Sequence, residues 1–155
     1  FYRVNYDWEN WRRLIAFLNT DNFHQIHVIN RAQILYDLAV FAHKDQRYWE
    51  LLFDATTYLH RETHFLPWNS LIEELNQYTL MLINTPSFDM FKRFMVYLMD
   101  SIINHVGFDD KLEDDFLTRA GRHELMWPAC FYEHERCVAV APIKLRERLS
   151  GGEKK

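Results

Sequence analysis

Glycine and proline are scarce in this chain of 155 residues, four of each. Turn-rich all-β folds and low-complexity disorder both need more of them. There is no excess of basic charge. The formal net charge is −4 and the pI about 6.1, so the chain has no global positive field and nucleic acid is not expected as a partner. No apolar run approaches the ~18 residues that a membrane-spanning helix needs. Cysteine is limited to Cys130 and Cys137, too few to define a disulfide framework or a structural zinc site. No G-x-S-x-G elbow or comparable Ser/His/Asp arrangement is legible. The opening FYRVNYD has neither an initiator Met nor the charged n-region of a signal peptide, which suggests a mature or truncated segment.

What is abundant is aromatic and apolar, at 16% and 48% of residues, enough for one domain with a sizeable core. The first six residues alternate, with Tyr2, Val4 and Tyr6 to one side and Phe1, Arg3 and Asn5 to the other. That is strand periodicity. Nothing later reads as its partner, so we expect an orphan β-strand over residues 1–6, completed by a sheet outside the chain. From Asp7, a plausible N-cap, the pattern turns helical, with Trp8, Trp11, Ile15 and Leu18 as a stripe. A polar loop, 19–25, is followed by helical patterns over 28–43 and 46–61. Pro67 and Pro86 each sit where a helix begins. The first of these helices runs through Leu71, Leu75, Tyr78 and Leu82. The second runs through Phe91, Phe94, Leu98 and Ile102 to Gly107.

The acidic FDDKLEDDF lacks the alternating ligands, central glycine and terminal glutamate of a Ca²⁺ loop. It reads as a solvated loop and a helix start. Two shorter helices are expected from Arg122 to Arg148, with the cysteines at the turn between them, although Pro128 and Pro142 count against helix there. On one straight helix those cysteines would lie about 10.5 Å apart along the axis, too far for a bond; a turn would bring them into reach. The expected fold is all-α, with antiparallel helix pairs that can stack as an α-solenoid over residues 7–149, ending in a flexible tail over 150–155.

The stretch LHRETHFLPW raises the question of zinc. His60 and His64 are four apart, as in H-E-x-x-H, but Glu62 falls one place late, roughly 200° around a helix from His60. Third-ligand candidates (His24, His27, His105 and His123) cannot be placed from sequence. A helix terminus with cationic side chains near its carbonyl end is the favoured reading, and a self-sufficient zinc hydrolase the disfavoured one.

Three segments together carry a resemblance. FYRVNYDWENW, then VINRAQILYDLAVFA, then YLHRETHFLPW resemble consecutive landmarks of the zinc aminopeptidase N family, the gluzincin aminopeptidases. The similar region is the helical domain C-terminal to the catalytic domain, shared with the endoplasmic-reticulum aminopeptidases. Its motif residues correspond to Tyr2, Arg3, Asn5, Tyr6, Asp7, Asn10, Trp11, Asn30, Arg31, Ala32, Gln33, Pro67 and Trp68, and the later ACFYEHERC resembles the family's cysteine pair, over residues 1–140 in all. The resemblance implies that the helices form an α-α superhelix of HEAT-like antiparallel helix pairs, and that residues 1–6 are the last strand of a β-sandwich domain. It implies a Cys130–Cys137 disulfide, and structural rather than catalytic roles for the motif residues.

It further implies a non-catalytic domain that shapes the chamber of an enzyme removing N-terminal residues from peptides. This chain is expected to hold no catalytic residue, metal or cofactor; zinc belongs to the intact enzyme, whose zinc motif and G-x-M-E-N motif are missing from this sequence. Implied partners are the upstream catalytic and β-sandwich domains, peptide substrates and a homodimer partner, at the extracellular face of the membrane or in the secretory pathway. The alternative is an interaction, dimerisation or receptor module. Two departures stand out: Pro128 before the first cysteine, and the ending PIKLRERLSGGEKK where the family continues. An abbreviated superhelix would expose an apolar end face.

Overall fold

The structure, a computed structural model, describes residues 3–151. Among them are eight α-helices and two 3-10 turns: α1 (Trp8–Leu18), a turn at Phe23–Gln25, α2 (Val28–Lys44), α3 (Tyr48–Thr56), a turn at Thr57–Arg61, α4 (Phe65–Asn69), α5 (Ile72–Leu82), α6 (Phe88–Val106), α7 (Phe116–Phe131) and α8 (Glu135–Gly151). Most helices pack on near neighbours in sequence, and α4 also reaches α7. α1 and α2 lie against α3, α2 also against α4, α6 against α7 and the 57–61 turn, and α7 against α8. This is the all-α superhelix of stacked helix pairs.

The helix starts follow from local chemistry. Asp7 caps α1 by accepting from the Asn10 amide at 2.9 Å, and Asp115 caps α7 by accepting from the Thr118 amide at 2.7 Å. The stripe facing inward from α1 is Trp11, Ile15 and Leu18, all buried. On α6 it is Phe91, Met95, Leu98, Met99, Ile102 and Ile103 at helical spacing. Gly107, at φ +63°, ends α6, where the left-handed region costs glycine little.

Several expectations are corrected. The orphan strand is not seen: Phe1 and Tyr2 lie outside the described residues, and residues 3–7 form no strand. With no neighbouring strand, the Val4 amide instead donates to the Asp37 carboxylate at 3.3 Å. The helix expected over 46–61 tightens at Thr57 into a 3-10 turn. Pro67 does not begin a long helix. It is the third residue of α4, within the first turn, where its missing N–H leaves no bond unmade. The chain then breaks at Ser70–Leu71 before α5.

Pro128 and Pro142 interrupt nothing, for both lie inside helices. Each residue four places earlier, Glu124 and Val138, is exposed, so water can serve the carbonyl that loses its donor. α7 closes with the His134 amide bonded to the Ala129 carbonyl at 2.9 Å and the Glu133 amide to the Cys130 carbonyl at 3.1 Å. That is a Schellman arrangement with Glu133, φ +66°, in the position glycine usually takes. Ser150 and Gly151 end α8; the rest of the expected tail, 152–155, lies outside the described residues.

Candidate functional site

The motif residues gather at two places. At the first, residues 3–7 lie across α1, α2 and α3. Asn5 is the hub: its Oδ1 accepts from the Trp11 indole N–H at 3.1 Å, and its Nδ2 donates to the Tyr48 hydroxyl at 3.1 Å. Tyr6 meets the buried Trp11 edge to face, 4.9 Å between ring centres. Arg3 donates to the Tyr36 hydroxyl at 3.3 Å with its guanidinium over that ring. Asn10 donates a second bond to Asp7, at 2.7 Å. Gln33 donates to Asp37 at 2.7 Å. Asn30 is exposed and Ala32 half-buried. A cleft of about 430 Å³ opens beside this junction.

The second place is the LHRETHFLPW segment. Glu62 is buried and bound through both oxygens by Arg31, Nε at 2.6 Å and Nη2 at 3.2 Å. Arg31 spends Nη1 on the Ile26 carbonyl at 2.6 Å, and its guanidinium lies 5.3 Å from the Phe23 ring centre. Glu62 also accepts from the His64 amide at 3.0 Å, while its own carbonyl accepts from the Trp68 indole at 3.3 Å. A bidentate, dry pair of this kind ties α2 to the 57–64 segment, thirty-one residues on. Burial, with the negative charge of Glu62 next, pushes the Tyr58 phenol far above its ordinary value.

These contacts decide the zinc question for HRETH. Its glutamate is withdrawn into the Arg31 pair. His60 Nδ1 donates to the Thr57 carbonyl at 2.6 Å, and its ring stacks on Tyr97 at 5.0 Å. His64 is not at a helix end, as the sequence suggested, but at a helix start: its Nδ1 accepts from the Leu66 amide at 3.2 Å and caps α4. Among the described residues, no three His, Cys, Asp or Glu side chains come together in an arrangement that could hold a metal ion. The segment does not fit zinc.

Three structural roles escape the sequence reading. Asp37 and Glu62 bond to groups about thirty residues away, beyond any local pattern. The third is Arg122, buried in α7. It donates to the Val106 carbonyl at 2.9 and 2.6 Å, to Asp114 at 2.7 Å and to Asp110. The acidic stretch is therefore no merely solvated loop: it folds around a guanidinium that also caps the carbonyl end of α6. A hydrogen bond from the Lys111 amide, and then the Arg122 guanidinium, hold the Asp114 carboxyl below its ordinary range. An acidic loop preceding a basic residue on a helical apolar face was the available signal. Cys130 and Cys137 are joined, Cα atoms 5.1 Å apart, across the α7–α8 turn. No described helix is long and apolar enough to cross a membrane.

Comparison with known proteins gives the context of this arrangement. Residues 1–154 match the ERAP1-like C-terminal domain family. Aminopeptidase N of Plutella xylostella is 30% identical over 146 residues, 94% of this chain and 15% of the relative. Aminopeptidase N of Mus musculus is 37% identical over 95 residues, 61% of this chain and 10% of the relative. For the Homo sapiens aminopeptidase N the figures are 34% over 95 residues, 61% and 10%. The chain thus spans about 15% or less of the length of these curated relatives. The two clusters of motif residues and the stacked helices around them are those of a member of the ERAP1-like C-terminal domain family, to which this chain belongs.

Proposed function

We propose that this chain is the non-catalytic helical domain of a zinc aminopeptidase, an enzyme that removes N-terminal residues from peptides, and that it shapes the chamber in which they are held. The observation that carries this is the fate of HRETH. The chain's one approach to a metallopeptidase motif has its glutamate bound by Arg31 and one nitrogen of each histidine bound to backbone. Family membership supplies the rest. Zinc belongs to catalytic residues elsewhere in such an enzyme. The partners are its catalytic and β-sandwich domains, and the setting is the cell surface or secretory pathway. Residues 1–6 supply the boundary to the β-sandwich domain. The exposed Trp8 and Tyr36 beside them are surfaces for that contact.

The reading is tested by adding the purified chain to the upstream portion of the Plutella xylostella relative and comparing hydrolysis of long and short peptides. Complex formation with a changed length preference is expected. No complex, or a complex with an unchanged preference, contradicts it.

A second reading, an interaction or dimerisation module, is favoured by one observation. α8 leaves Val138, Ile143, Leu145 and Leu149 exposed, the last at 68%, although apolar side chains at such density normally face a neighbour. Light scattering at rising concentration tests it. A mass growing beyond one chain supports it, and a monomer at millimolar concentration opposes it.

A further inference from the structure

A cleft lies between residues 4–6, α1 and α2, beside the residues that the function proposed above places at a domain boundary. Its volume, about 430 Å³, lies in the range of small-ligand sites, roughly 300–1,000 Å³. One of its lining residues is Asp37, 97% buried by its 3% exposure. Among the described residues no Lys, Arg or His forms an ion pair with this carboxylate, and its neighbours are neutral: the Val4 amide and the Gln33 side-chain amide. A carboxylate has about four acceptor positions, of which these bonds use two. A buried charge without a counter-charge is costly, by several kcal/mol in general. Arg3, the cation nearest in sequence, is turned to the Tyr36 ring and hydroxyl.

The walls fit one kind of cation. Gln33 gives its amide nitrogen to Asp37, which leaves its carbonyl oxygen free to accept. Asn30 lines the same cleft, with a side chain that makes no hydrogen bond among the described residues. The edge-to-face pair of Tyr6 and Trp11 also lines the cleft, with Tyr6 41% exposed. One carboxylate, two amide oxygens and an aromatic wall suit a planar group with several divergent N–H donors and a weakly held hydration shell. A guanidinium has those properties, whereas an ammonium is compact and strongly hydrated.

We propose that this cleft binds the guanidinium of an arginine side chain on a peptide, with Asp37 as its counter-charge, Asn30 and Gln33 as acceptors and Tyr6 as the stacking face. The guanidinium supplies a positive charge, which no described residue gives Asp37 through an ion pair.

The test uses the whole chain and N-acetylarginine amide, followed by the shift of the Trp11 indole N–H resonance. N-acetylcitrulline amide is the neutral isostere, and N-acetyllysine amide carries the same charge on an ammonium. A saturable shift with the arginine compound, absent with citrulline and at least about fivefold weaker with lysine, is the expected result. Asp37→Asn should weaken binding by about tenfold or more, as loss of a charge-assisted bond does. Asn30→Ala, at an exposed position whose side chain makes no hydrogen bond among the described residues, should weaken it by a smaller factor. The proposal is overturned by no saturable shift up to tens of millimolar, by equal binding of citrulline or lysine, or by an Asp37→Asn chain of unchanged circular dichroism that binds as well as the parent. Should Asp37→Asn fail to fold, Asn30→Ala decides: unchanged affinity there also overturns it.

Discussion

Glu62 is surrounded by titratable neighbours, yet it holds structure together. Its carboxylate accepts from Arg31 twice and from the His64 amide, and the Trp68 indole bonds to its carbonyl. Both partners of the pair are almost fully buried, side chains 8% and 3% exposed. Coulomb attraction there is offset by the desolvation of two ions, so the pair adds little net stability, while removal of one partner leaves the other charged and alone. Glu62→Gln should therefore cost about 3–5 kcal/mol, read from urea denaturation midpoints. A double replacement, Arg31→Met with Glu62→Leu, should recover most of that loss. A cost below about 1 kcal/mol for Glu62→Gln would show that the pair is not buried in solution. Sequence singled out Arg31 as a family-motif residue and Glu62 within HRETH but could not pair them, because nothing local connects the two. Asp7 was different: a capping residue is read from its immediate successors, and the Asn10 amide is three residues away.

Among the elements, the central helices were legible and the short ones were not. α1, α2 and α6 carry long apolar stripes at helical spacing, so their period stands out against the polar residues between. α4 is five residues long, too short to show a period, and its proline suggested the start of a longer helix. α4 matters nonetheless, since Phe65 packs on α7 where Gly121 gives it room. A Cβ placed on Gly121 would lie 3.1 Å from both Cβ and Cγ of Phe65. Those atoms are next to the backbone and cannot swing aside. Gly121→Ala would gain up to about 1 kcal/mol of helix propensity. Overpacking costs typically 1–3 kcal/mol, so the net effect should be destabilising. A melting temperature lowered by a few degrees is expected; a raised one would mean that α4 and α7 stand further apart. The Cys130–Cys137 bond acts at the same scale. It closes a loop of sequence separation seven, pinning α8 to the end of α7 after the Schellman turn. Pro128 and Pro142 counted against helix in the sequence although α7 and α8 run through them, because the exposure that lets water replace a lost donor is a tertiary property.

At the scale of the whole molecule, composition and period were enough for an all-α superhelix, and the motif series for the family. The strand was not recoverable as structure, since a strand exists only in a ladder and no described residue supplies one. Nor could sequence show which way the apolar residues of α8 point; only packing reveals that Val138, Ile143, Leu145 and Leu149 remain exposed. The functional account rests on the division of labour between this helical domain and a catalytic one. Inductively coupled plasma mass spectrometry of the purified, tag-free chain, alongside hydrolysis of an aminoacyl chromogenic amide, tests that division most directly. The account predicts no bound zinc beyond trace and no hydrolysis above buffer. About one zinc per chain, lost on His60→Ala or His64→Ala together with hydrolytic activity, would contradict it and make HRETH a metal site.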